Sequence, residues 1–69
     1  MDKINPDYYK DKPIETIDCI ASIVSDKQGQ EAFLVGQVVK YVARYNMKNG
    51  VEDLNKANWY LNKLIEALN

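Results

Sequence analysis

Residues 38–54, VVKYVARYNMKNGVEDL, decide the fold. A strongly apolar helical segment runs into Asn49-Gly50, and glycine after a helical run is a common stop signal because it tolerates positive φ. A new pattern starts at once. Glu52 and Asp53 fall in the first turn of the next segment, where the helix dipole favours acids. Beyond them Val51, Leu54, Ala57, Leu61, Leu64, Ile65 and Leu68 recur at helical spacing and form one stripe, predicting a helix over 51–68. The preceding helix is expected over about 30–48 and is apolar around most of its circumference. So short a connection makes the two an antiparallel hairpin.

Upstream, SDKQGQ at 25–30 is a polar connection in which Ser25 or Asp26 offers a cap for the second helix. Ile14, Ile17, Ile20, Ala21 and Val24 predict a first helix over 13–24, with Pro13 at the first position, where its missing N–H is harmless. Residues 1–12 show no period and read as an extended N-terminal arm broken by Pro6. The expected architecture is all-α: one small domain over 1–69, made of an arm and three helices.

A chain of 69 residues lies below the size, roughly 70–80 residues, at which a single core stabilises a domain comfortably. Small domains compensate with disulfides, a metal or self-association. Cys19 is the single cysteine and histidine is absent, so neither an internal disulfide nor a zinc site is expected, and no other metal or cofactor is implied. A homo-oligomer is the expected remedy. Nine basic against ten acidic residues, net −1, argue against nucleic acid as a partner. The polar start MDKINPDYYK and the lack of a long apolar run lead to the expectation of a cytoplasmic protein with no membrane partner.

The cations of the second helix are not scattered. At 100° per residue, Lys40, Arg44 and Lys48 share with Gln37 an arc about 100° wide, flanked by Phe33 and Tyr41. Leu34, Val35, Val38, Val39, Val42 and Ala43 fill the remainder, and Gly36 borders the arc, where it would admit a close approach. A charged stripe is ordinarily a solvated face. Here no acid lies between positions 31 and 52 to pair with it along the helix. Arginine presents a planar fork to phosphate and aromatic rings stack on bases, so the stripe suits a phosphorylated, planar ligand. Tyr9 and Lys10 of the arm carry the same chemistry.

Other candidates are weaker. Glu15 with Asp18 and Glu52 with Asp53 are close carboxylate pairs, better read as a polar face and a helix start than as metal ligands. Cys19 has no histidine to activate it and is expected to be a small, partly buried side chain. Trp59 falls on the charged side of the third helix, among Glu52, Lys56, Lys63 and Glu66, and suits a subunit or partner interface. Tyr60 borders the core stripe.

The order NPDYYK … PIETI … FLVGQVVKYVARY … KNGVEDLNKANWYLNKLIE resembles the SaV-like family of small bacteriophage proteins over residues 5 to 66. The resemblance implies a phage origin. One line of that family is described as a nucleoside monophosphate kinase without a P-loop, and another takes its name from sensitivity to a host abortive-infection system. The matching positions are Asp7, Tyr9, Lys10, Gly36, Lys40, Tyr41, Arg44, Lys48, Asn49, Gly50, Asp53 and Lys56. Tyr8 stands where the family usually has histidine, and Gln37 where it often has asparagine. Loss of that histidine removes a possible acid–base group, so the resemblance favours binding over kinase chemistry here.

The expected function is a phage accessory protein that binds a phosphorylated nucleotide-like ligand, in nucleotide metabolism or in sequestering a host defence signal. Lys40, Arg44, Lys48 and Lys10 would hold phosphate, Tyr41 and Tyr9 would face the base or sugar, and Gln37 would add a polar contact. The alternative is an interaction module in which the stripe and Trp59 meet a host defence protein.

Overall fold

The computed structural model describes residues 14–69. Within them the chain forms α1 (Thr16–Ile23), α2 (Gly29–Arg44) and α3 (Val51–Leu68), with a 3-10 turn, Val24–Asp26, between the first two. No strand occurs among the described residues, and the fold is all-α. The arm over 1–12 and Pro13 lie outside them.

α1 begins at Thr16, later than the expected start at 13. Glu15 keeps extended backbone (φ −65°, ψ 143°), and its carbonyl accepts the first helical bond, from the Cys19 N–H at 3.0 Å. The inward line is Thr16, which is buried, followed by half-buried Ile20 and Val24. Ile14 and Ile17, expected on the core side, are exposed, and so is Cys19, expected to be partly buried. Ile20 sits on Gly36 of α2: a Cβ there would lie 3.2 Å from Ile20 Cγ2. Gly36 thus admits a close approach, and what approaches is α1.

Neither Ser25 nor Asp26 caps α2. Ser25 Oγ donates to the Ser22 carbonyl at 2.8 Å, and Asp26 accepts from Lys27 Nζ at 2.8 Å. Both side chains are therefore spent on the end of α1. Gln28 is the N-cap, and its side chain makes no capping bond. α2 ends at Arg44, four residues short of the expected 48. Beyond it the Met47 N–H donates to the Arg44 carbonyl and the Gly50 N–H to the Tyr45 carbonyl, which closes a turn over Tyr45–Gly50. The Asn49 N–H turns away from α2 and donates to Asp53 of α3 at 3.1 Å. Gly50 holds φ 57°, ψ −127°, backbone that a side chain strongly disfavours.

α2 and α3 run antiparallel, since Arg44 meets Asp53 while Phe33 meets Tyr60. α3 does not turn its most apolar stripe toward α2. Its inward line is Asp53 and Ala57, buried, with Tyr60 and Leu64 half-buried. Val51, Leu54, Leu61, Ile65 and Leu68, expected in the core, are all exposed, as is Val42 of α2. Among the described residues, Leu34 and Ala57 are the only buried hydrophobic side chains. No helix of the described residues is long and apolar enough to cross a membrane.

Candidate functional site

The best-buried side chain of the hairpin is an acid. Asp53 has no solvent exposure, which carbon packing alone could not sustain for a carboxylate. Four donors surround it. Arg44 donates through Nε to Oδ2 at 3.4 Å and through Nη2 to Oδ1 at 3.3 Å, a fork-like approach. Asn49 adds its backbone N–H to Oδ2 at 3.1 Å and its Nδ2 to Oδ1 at 3.5 Å. Burial pushes the Asp53 carboxyl up, but the Asn49 N–H and the Arg44 guanidinium outweigh it and hold the group below the usual carboxylate value. The pair also joins complementary helix ends, a cation at the C-terminus of α2 and an anion in the first turn of α3.

This latch answers the question raised by a basic stripe with no acid between positions 31 and 52. The partner of Arg44 comes from the next helix, nine residues away. Only 11 % of the Arg44 side chain is exposed, so it is first a structural residue.

Beside the latch, Tyr41 stacks on Tyr60 with ring centroids 5.8 Å apart and planes 10° from parallel. Three cations lie around the Tyr41 ring: Arg44 Cζ at 4.7 Å, Lys40 Nζ at 5.2 Å and Lys56 Nζ at 5.5 Å from its centroid. Tyr60 carries two further edge contacts, to Phe33 at 6.2 Å and to Trp59 at 5.0 Å, and Lys63 Nζ lies 5.3 Å from the Trp59 ring centre. Trp59 and Phe33 remain more than half exposed. One face of the hairpin is therefore a continuous patch of rings and cations.

Of the residues singled out from sequence, Lys40, Tyr41 and Arg44 converge here, and half-buried Gln37 lies in the same arc of α2. Lys48 is not on the helix: it is exposed in the Tyr45–Gly50 turn. Tyr9 and Lys10 lie outside the described residues. Trp59 borders the patch through Tyr60. The third helix also brings Lys56, Lys63 and Tyr60, which the reading of α2 by itself missed. Their spacing was a usable signal, because 56, 59, 60 and 63 share a side of a helix. Exposed acids accompany these lysines, Glu52 at 3.7 Å from Lys56 and Glu66 at 3.9 Å from Lys63, in surface pairs of small energetic weight. Among the described residues, no group of three or more histidine, cysteine, aspartate or glutamate side chains is placed to hold a metal ion.

Compared with known proteins, the chain matches no curated protein and no solved structure. A family match spans residues 3–62, nearly the whole chain and all of the site just described except Lys63, and on that match the protein belongs to DUF3310, a family of unknown function.

Proposed function

We propose that the protein binds a phosphorylated, nucleotide-like ligand on the basic-aromatic face of the α2/α3 hairpin. The observation that carries this reading is the convergence of Lys40, Arg44 and Lys56 within 5.5 Å of one ring centroid, with Trp59 and Phe33 exposed alongside. Lys40 and Lys56 are the phosphate contacts, half-buried point charges beside the Tyr41 ring. Arg44 is held by Asp53 and orients rather than grips. Tyr41 is already stacked on Tyr60, so the base lies against Trp59 or Phe33, which are more than half exposed. Gln37 supplies a polar contact at the edge. Binding is favoured over phosphoryl transfer, because the acids of this face are engaged with its cations and the sequence has no P-loop. The resemblance to the SaV-like phage proteins supports a role in nucleotide metabolism or in sequestering a host nucleotide signal.

Trp59 is the single tryptophan, so its fluorescence reports directly on the site. Titration with a panel of mononucleotides and cyclic dinucleotides is expected to quench it. The melting temperature should rise as well, since a ligand at a hundred times its Kd stabilises the folded state by about 2.7 kcal/mol. Lys40→Ala and Lys56→Ala should each weaken both responses. No response to any member of the panel, or to inorganic phosphate, would refute the reading. The alternative, a host defence protein bound through the same patch, is favoured by the exposure of Trp59 and Phe33. It predicts no nucleotide response but loss of a protein contact in Trp59→Ala.

A further inference from the structure

The opposite face of the hairpin carries no part of this site. Because α2 and α3 are antiparallel, turning in the same sense about both axes leads to the same side of the pair. Arg44, Lys40 and Tyr41 meet Lys56 and Tyr60 on one side. That places Val38, Val42 and Tyr45 of α2 and its turn with Leu54, Leu61 and Ile65 of α3 on the other. Val51 and Leu68 extend this line to the two ends of α3. The seven exposed members, Val42, Tyr45, Val51, Leu54, Leu61, Ile65 and Leu68, are each between 38 % and 70 % accessible. Every charged residue of α3 (Glu52, Asp53, Lys56, Lys63 and Glu66) lies away from this line, and its polar members are Asn58 and Asn62. On α2 the half-buried Glu31, near its N-terminus, shares the arc of Val38 and Val42.

We infer that this mainly apolar face is covered by a second copy of the chain, packed about a two-fold axis so that two α2/α3 hairpins form a four-helix bundle. A mainly apolar face is matched by another of the same kind, and a two-fold contact makes one surface its own partner. The exposed parts of these side chains amount to roughly 600 Å² per copy, and with their asparagine rim they approach the roughly 800 Å² per partner of a specific interface. Periodicity fits as well: Leu54, Leu61, Ile65 and Leu68 follow the three- and four-residue steps of a bundle seam. A membrane is the wrong occupant, since a helix lying on lipid flanks its apolar face with lysine or arginine. The first thirteen residues carry six charges and are the wrong chemistry for it.

Sedimentation of the full chain is expected to give twice the chain mass at micromolar concentration, and a melting temperature that rises with concentration. Leu61→Glu and Ile65→Glu should halve the mass, whereas Lys63→Glu on the charged face should not change it. If the glutamate variants fail to fold, the concentration dependence of melting still decides. A single-chain mass at every concentration, a melting temperature that does not vary with concentration, or a multimer that folded Leu61→Glu and Ile65→Glu leave intact would overturn the inference. So would a monomer that sediments with lipid vesicles.

Discussion

The two faces of the α2/α3 hairpin have opposite constructions. On one, charges are arranged about rings and tied across the helices, with a buried carboxylate at the base of the arrangement. On the other, valine, leucine and isoleucine stand exposed, with no charged residue of α3 among them. The difference shows how so small a domain divides its work. Within one chain, the polar latch and the tyrosine stack set the angle between the helices. Val51, Leu54, Leu61, Ile65 and Leu68 of α3 remain exposed.

Breaking the latch should have the largest effect. Asp53→Ala leaves Arg44 partly buried without its carboxylate, and loss of one partner of such a pair is strongly destabilising. A fall in melting temperature of roughly 10 °C or more is expected for a domain of this size. Replacing both residues with leucine should recover much of that fall, which calorimetry of the single and double variants would check; no recovery would mean that the latch does more than neutralise itself. Gly50→Ala comes next, at about 1–3 kcal/mol, because its backbone conformation is close to glycine-only. Denaturant titration would measure it, and a neutral result would show that the turn can re-form without positive φ.

The pH dependence separates the faces further. Asp53 is held below its ordinary value in the folded state, so its contribution is fully present above the unfolded value of about 3.9 and is lost as pH falls through the folded one. Stability should drop as pH falls below about 4, and Asp53→Asn should flatten that limb. An unchanged acid limb in the variant would assign the loss to other carboxylates. The smallest effect is expected at Lys40→Ala, about 0.5–1 kcal/mol in urea unfolding, since it removes a half-buried cation from over the Tyr41 ring. That small cost makes Lys40 a better probe of ligand binding than Arg44.

Much of this arrangement is legible in the residues before any fold is known. The α3 boundaries follow from Gly50, the acids of its first turn and its apolar period, and the clustering of Lys40, Tyr41 and Arg44 follows from spacing. The partner of Arg44 was harder to see, because a search along one helix looks three or four residues away and Asp53 lies nine away across a turn. The signal was nonetheless present: an arginine in the last turn of one helix and an aspartate in the first turn of the next, joined by a short connection.

The sequence by itself determined three helices, a hairpin and a basic-aromatic stripe, since each follows from local period, caps and turn chemistry. Only the tertiary structure decided which side of α3 turns inward. Hydrophobicity favours Leu54, Leu61 and Ile65, yet Asp53, Ala57 and Tyr60 face α2. A carboxylate held by Arg44 and Asn49, with Tyr41 stacked on Tyr60, fixes the rotation of the helix. Periodicity measures how apolar a face is, and it carries no information about which polar partner waits across the turn.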